Sequence, residues 1–475
     1  MRTSTFLCFP IALVFISKVN IVNAQVKTFE KTFGGSKADY GHCLSLTSDG
    51  GLIITGLTLS FGDTLGDTYL TKLDADGMQQ WVKIISGPEL EGGNSIVQTS
   101  DGGYFITNHT ESYGAGDCDS WAIKTDHAGN MQWNQTYGCS GDDVGEQGIQ
   151  TSDGNFVVTG ITRILDWRGN AFIVKYNSGG DTLWTRVFNA YPNEIGMRIV
   201  ESSDGGFVVA CSGTTGTVGT ENILVLKTSI DGDLLWTKEI GGAGNEEAYG
   251  LVATSDGGFV ISGFTTSFGS GDADAYLVKL NDSGTQLWSR NYGGLLDDRA
   301  ISLATTRDGG FIVAGDTKSF RDSCDIFLFK TDMNGNLLWS KTFGNTDYIE
   351  SPGWIVTCPD GGFAITGTKQ KIGSEDADIY LLKTDSSGNF STNIQEPVSS
   401  LTGLKVYPDP AVNTINLSFD SRLTNPVIKI FNSEGRLVVK AENQTKINIE
   451  DLPSGLYCIT LSQGNRFLSQ KFIRE

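Results

Sequence analysis

Histidine is nearly absent from this chain. Three occur in 475 residues, His42, His109 and His127, at spacings that suit no metal site. No Cys-x-x-Cys pair exists, so a structural zinc has no ligand set to use. No Gly-x-Ser-x-Gly elbow stands out, and no arginine triad of the sialidase kind is recognisable. Positive charge is also short: 35 Lys and Arg face 55 Asp and Glu, a net −20. That excess of acid argues against nucleic acid or an anionic membrane surface as partner.

Long apolar runs are missing too, with one short exception at the start. Arg2, an apolar stretch over residues 6–16 and the small-residue site Val22-Asn23-Ala24 read as a secretory signal peptide over residues 1–24. The stretch is too short to stay in a bilayer as a span. Cys8 lies early in it, away from the cleavage site, which argues against a lipoprotein anchor. Loss of Arg2 and Lys18 with the leader takes the charge from −20 to −22. Seven cysteines remain, Cys43, Cys118, Cys139, Cys211, Cys324, Cys358 and Cys458, at irregular spacing.

Glycine is what the chain has in plenty, sixty against ten prolines, and much of it recurs on schedule. Asp-Gly-Gly or a near copy begins at Asp49, Asp101, Asp153, Asp204, Asp256, Asp308 and Asp360, at intervals of 51 or 52 residues. A fixed period of this size means one supersecondary unit used seven times. Within residues 246–292 the pattern predicts four short strands joined by tight turns, an antiparallel meander. Four-stranded units repeated seven times predict an all-β fold, a seven-bladed β-propeller over residues 26–390.

The ends of the repeat point to ring closure. Six copies carry a fourth-strand tryptophan, Trp81, Trp133, Trp184, Trp236, Trp288 and Trp339, and the seventh copy stops short of it. The missing strand is found near the N-terminus, where residues 29–35 match residues 236–242. This strand is expected to complete the last blade and remove exposed edges. The segment Leu73-Asp74-Ala75-Asp76-Gly77-Met78-Gln79-Gln80-Trp81 resembles the tryptophan-docking motif of quinoprotein-type propellers, and more faintly the Asp-box turn of sialidase-like propellers. The resemblance implies a docking role for the tryptophan, and the cofactor is not carried over.

Residues 391–403 read as a polar linker, and residues 404–475 show alternating strands. The motifs Val406-Tyr407-Pro408-Asp409-Pro410, Asn432-Ser433-Glu434-Gly435-Arg436, Leu452-Pro453-Ser454-Gly455-Leu456-Tyr457 and Lys471-Phe472-Ile473-Arg474-Glu475 follow in order. Together they resemble the C-terminal sorting domain of type IX secretion cargo in Bacteroidetes, with Asp409 standing where most members have Asn. The resemblance implies a small Ig-like β-sandwich read by the type IX machinery, and delivery through the periplasm to the cell surface or beyond.

Ten residues before each turn aspartate stands another acid: Asp39, Glu91, Asp143, Glu194, Glu246, Asp298 and Glu350. If that strand is innermost, these carboxylates ring one mouth of the central channel. They then either stitch their own loops or jointly hold a cation such as calcium. Acids at the start of the third strand, among them Asp67, Asp119, Asp274, Asp325 and Asp378, resemble the acidic loops of calcium-binding propellers without their full spacing. Residues that break the repeat are the candidate ligand contacts: His42, Trp167, Arg168, Arg198, Arg299 and Trp354. Hairpin register in the second blade predicts a disulfide between Cys118 and Cys139. The expectation is a secreted binding or scaffold protein with a glycan or protein ligand and no catalytic set or cofactor. The alternatives are a carboxylate-based hydrolase or lyase and a calcium-stabilised module.

Overall fold

The computed structural model describes residues 26–62, 65–163, 169–190, 193–214, 221–320, 324–390, 404–419, 426–432, 437–463 and 466–475. The signal peptide expected over residues 1–24 lies outside them. Among the described residues every regular element is a strand. The chain divides into two compact units, with the break between Phe390 and Ser391.

Among the described residues the first unit holds seven four-stranded antiparallel sheets, six of them each filled by one repeat and the seventh completed by the N-terminal strand. The fifth is typical: Glu246–Ala253, Phe259–Thr265, Asp274–Leu280 and Gln286–Tyr292. Its two middle strands are buried along their whole length, and its outer strand is exposed. Core side chains of neighbouring sheets mix: Val208 and Val225 of the fourth sheet pack with Ile261 and Val278 of the fifth. The core therefore lies between sheets, as a β-propeller-like fold requires. The innermost strands contact one another in sequence, and the first, Asp39–Leu46, also contacts the last, Tyr348–Thr357.

The N-terminal strand Phe29–Phe33 is the outer strand of the seventh sheet, paired from Phe29 opposite Lys383 to Phe33 opposite Ile379. Trp236 lies opposite Lys227 in the same register, as the match of residues 29–35 to 236–242 anticipates. Each outer-strand aromatic docks on the turn of the next sheet. A Cβ at Gly232 would sit 2.8 Å from the Trp184 ring, and φ there is +79°. The same contact joins Trp81 to Gly129, Trp133 to Gly180, Trp236 to Gly284, Trp288 to Gly335 and Trp339 to Gly388. Phe29 takes the place of the tryptophan against Gly77, so the seventh sheet docks on the first.

The Asp-Gly-Gly turn does more than reverse the chain. The first glycine has φ near +80°, and a Cβ on the second would strike the third strand, 2.3 Å from the Leu280 carbonyl at Gly258. The aspartate meets a lysine of the third strand in all seven sheets: Lys72–Asp49, Lys124–Asp101, Lys175–Asp153, Lys227–Asp204, Lys279–Asp256, Lys330–Asp308 and Lys383–Asp360, at 2.6–2.9 Å. Six of the lysine side chains are only 3–6 % exposed, so the turn aspartate is a needed counter-charge, joined at Lys227 by Asp282 at 2.5 Å. Lys279 and then the Thr254 hydroxyl hold Asp256 down to about 2, and Lys330 and Thr306 do the same for Asp308. At Asp49 and Asp101 burial pushes the other way and is outweighed by Lys72 and Lys124.

The second unit packs two sheets on one core. One sheet orders Lys405–Tyr407, Thr414–Ser418 and Lys446–Asn448; the other orders Leu437–Glu442, Val427–Phe431, Gly455–Gln463 and Arg466–Arg474. Ile415, Leu417 and Ile447 face Ile428, Ile430, Ile459 and Phe472. The opening motif clasps the last strand: the Ile473 N–H donates to Asp409 Oδ1 at 2.8 Å, and the Ala411 N–H to the Ile473 carbonyl at 2.8 Å.

Two outcomes are expected. The turn aspartates lose their protons more easily when folded than at their ordinary 3.8, so their contribution is full above pH 4 and is lost as pH falls towards 2. An acid titration followed by circular dichroism should place the steepest loss of melting temperature in that window; a flat profile there contradicts the ion-pair role. Gly232→Ala should lower stability by roughly 1–3 kcal/mol, from the positive φ and the Trp184 contact together. Chemical denaturation of the variant checks this.

Candidate functional site at the channel

The seven inner-strand acids lie at or near the start of the innermost strands and are buried there. All are 0–1 % exposed, and the bonds described turn them back into the loops that lead into their strands. Asp39 Oδ2 accepts from the Gly35 N–H at 2.7 Å and the Ser60 hydroxyl at 2.7 Å, and Thr58 donates to Oδ1. Glu91 accepts from the Gly87 N–H at 2.6 Å and the Thr110 hydroxyl at 3.1 Å. Glu246 accepts from Gly242 at 2.8 Å and Thr265 at 2.6 Å, and Asp298 from Gly294 at 2.7 Å and Ser319 at 2.5 Å. The Cys139 N–H reaches Asp143 at 2.6 Å, and Glu350 pairs with Lys369 at 3.3 Å. Glu194 is likewise buried at the start of its strand. The third-strand acids follow the same plan: Asp274 accepts from Ser270 and Gly271 at 2.9 and 3.2 Å. Among the described residues no three His, Cys, Asp or Glu come together in a metal-holding group.

What reaches the channel is set by a bulge. Every inner strand slips register three residues after its acid, leaving out His42, Asn94, Glu146, Met197, Tyr249, Ile301 and Gly353. A bulged residue leaves the ladder and its side chain is re-aimed. No two of the seven are alike, although they occupy one position of the repeat. His42, Asn94, Glu146, Ile301 and Gly353 line a single cavity of ≈ 380 Å³, and Arg198 completes its wall.

Arg198 belongs to the fourth sheet and Trp354 to the seventh, yet the guanidinium lies 4.9 Å from the indole centroid. The contact crosses the channel and holds the guanidinium as a cation–π stack. Arg198 Nη1 donates to the Met197 carbonyl at 2.7 Å, while its buried Nε–H has no acceptor. Burial draws the Arg198 pKa down, and the charges of Glu146 and Cys43 oppose that. Burial raises the Glu146 pKa, with Arg198 opposing, and no ion pair joins the two. Burial lowers His42, so its imidazole is neutral near pH 7; Nδ1–H donates to the Gly93 carbonyl at 2.9 Å and leaves Nε2 an acceptor. Asn94 donates to the Gly145 carbonyl at 2.8 Å.

Of the residues singled out for breaking the repeat, His42, Arg198 and Trp354 come together here. Arg299 does not: it stacks on Phe264 at 5.3 Å and is absent from this wall. Trp167 and Arg168 lie outside the described residues. Sequence reasoning missed Asn94 and Glu146. The signal was available in the position three residues after each acid, where all seven copies differ.

The expected disulfide is not formed, and Cys118 and Cys139 are both free thiols. The hairpin register is as expected, with Ser120 opposite Tyr137, but pairing stops there. Beyond it the Cys118 carbonyl accepts from the Asp143 N–H at 2.7 Å, and Cys139 Sγ lies 3.6 Å from the Arg163 carbonyl. The two residues are drawn to different neighbours. Burial pushes the Cys118 thiol up to about 12.

Comparison with known proteins adds three findings. The first unit is similar to the WD40 domain of Neurospora crassa Pan2, with 12 % identity over 74 % of this chain and 97 % of that one, at a TM-score of 0.48. It is also similar to Sqt1 from Chaetomium thermophilum, with 9 % identity over 74 % and 98 % and a TM-score of 0.42. Regulatory protein FlaEY of Caulobacter vibrioides is 26 % identical over 178 residues, 32 % of this chain, and the match spans only 18 % of that relative. Residues 405–475 match the secretion system C-terminal sorting domain. The chain is thus a propeller-like protein whose C-terminal sorting domain implies the type IX machinery and indicates export to the cell surface or the extracellular space.

Proposed function

We propose that the protein is an exported binding module of the Bacteroidetes type. In this reading a closed seven-bladed propeller spans residues 26–390, and the channel end holds a ligand. Residues 391–403 form a linker. The two sheets of residues 404–475 form an Ig-like sandwich that serves delivery. One observation carries the reading: seven equivalent bulges present seven different side chains, and five of them share a cavity with an under-partnered Arg198. The turn and docking positions repeat from copy to copy, whereas the bulged position offers an asymmetric set of side chains that share one cavity, which suits a single asymmetric ligand.

Asp39, Glu91, Glu246 and Asp298 spend the bonds described for them on their own sheet and its loops, which speaks against a hydrolase or lyase that uses the whole set of acids. A calcium-stabilised module is the second reading. It rests on buried acids that meet across sheet boundaries, as where Gly138 separates Asp119 from Asp143 and each has an oxygen without a partner. A chelator-dependent fall in melting temperature would favour it.

Binding of the full chain to a glycan and surface-protein panel tests the first reading. Arg198→Gln and Glu146→Gln should weaken a hit about tenfold or more, the worth of one charged hydrogen bond. Asp298→Ala should lower stability by about 2 kcal/mol through the loss of several buried hydrogen bonds, and leave the affinity of the folded fraction unchanged. A hit insensitive to both channel variants places binding elsewhere.

A further inference from the structure

We propose that the channel cavity recognises a small ligand through its carboxylate, an inference that rests on the binding reading above. Arg198 is the cation of this wall, and the chain supplies it no anion at contact distance. One guanidinium nitrogen is bonded to the Met197 carbonyl, the ring of Trp354 covers a face, and Nε–H is left without an acceptor. A half-buried cation without a counter-charge is costly, and its buried Nε–H donor without a partner adds to the cost. A planar guanidinium set over an indole offers fork-like bonding to a carboxylate, which a lysine at the same place would not.

The remaining groups fit a ligand with polar substituents beside that carboxylate. Glu146 has no hydrogen bond of its own in the cavity wall, and neutral His42 offers Nε2 as an acceptor. Ser351 and Thr368 add hydroxyls, and Ile301 gives one apolar surface. At ≈ 380 Å³ the cavity is at the small end of ligand pockets, which span about 300–1,000 Å³, so one sugar ring or one amino-acid unit fills it. Two sources carry the required chemistry, a hexuronic acid and the carboxyl end of a peptide.

Calorimetry on the full chain separates these outcomes with matched pairs. Galacturonic acid is compared with its methyl ester, and N-acetylalanine with N-acetylalaninamide. The expected result is that the charged member of one pair binds at least tenfold more tightly than its neutral twin, and that Arg198→Gln removes the preference. The pair that responds identifies the source. Equal binding of charged and neutral twins overturns the carboxylate assignment and leaves a channel binding site standing. If none of the four binds, the assignment is also overturned. A panel hit that ignores Arg198→Gln then removes the channel reading as well. Should the variant not fold, the comparison of twins on the unmodified chain decides by itself.

Discussion

The ion pair between a third-strand lysine and the turn aspartate is the interaction on which each sheet depends. A lysine ammonium this deeply buried must have a counter-charge close by, or the sheet pays a desolvation cost with no return. The turn between the first two strands delivers it. The Lys279–Asp256 contact at 2.7 Å ties the inner half of a sheet to its outer half in a way the backbone ladder alone does not. The turn aspartate also accepts a hydroxyl two residues upstream, as Thr254 and Ser202 show at 2.5 Å. In the seventh sheet Cys358 stands at that place, and the pair with Lys383 persists without the hydroxyl.

Sheets so braced are joined by a second device, an aromatic ring set on a glycine of the next turn. The device is directional: every sheet gives a ring to its successor and takes one from its predecessor. A row of such contacts closes only if the last sheet also has a ring to give, and that ring is Phe29, brought from the other end of the chain. The gap between Phe29 and Lys383 in sequence makes closure a long-range event, so ring formation waits on the N-terminal strand. Inner strands are pressed together by the same economy of size. A Cβ at Gly41 would lie 2.6 Å from the Gly367 carbonyl of the preceding sheet, and one at Gly93 2.2 Å from Thr55 Oγ1.

The scaffold was legible in the sequence because its devices recur. The period gave the sheets, the tryptophans gave the outer strands, and the orphaned first strand was identified by its likeness to residues 236–242. The channel was not legible, because no local mark says which face of an inner strand looks into the lumen. Simple alternation from Asp39 puts His42 on the face opposite the acid. That alternation holds as far as His42, and what the sequence left open was which of the two faces looks into the lumen: it is the face of His42, while Asp39 turns into its loop. The Cys118–Cys139 pairing failed for a related reason. The register ran true to Ser120 and Tyr137, but the strands end there, and Asp143 captures the Cys118 carbonyl.

The contrast between the two kinds of repeated position is itself physical. A turn aspartate meets the third-strand lysine in every copy, with a hydroxyl two residues upstream in six of them and Cys358 at that place in the seventh. A bulged residue has left the ladder and its side chain is re-aimed, so different residues can serve there: His42 and Asn94 each bond a carbonyl of the next sheet. The seven bulges here converge on one narrow axis, close enough that Arg198 reaches Trp354 from the other side. Tight packing of the inner strands makes the lumen small, and the small lumen turns independent substitutions into neighbours. A sevenfold scaffold thereby acquires one asymmetric cavity, with a cation, a neutral imidazole and a carboxyl group set around it by geometry the repeat already provides.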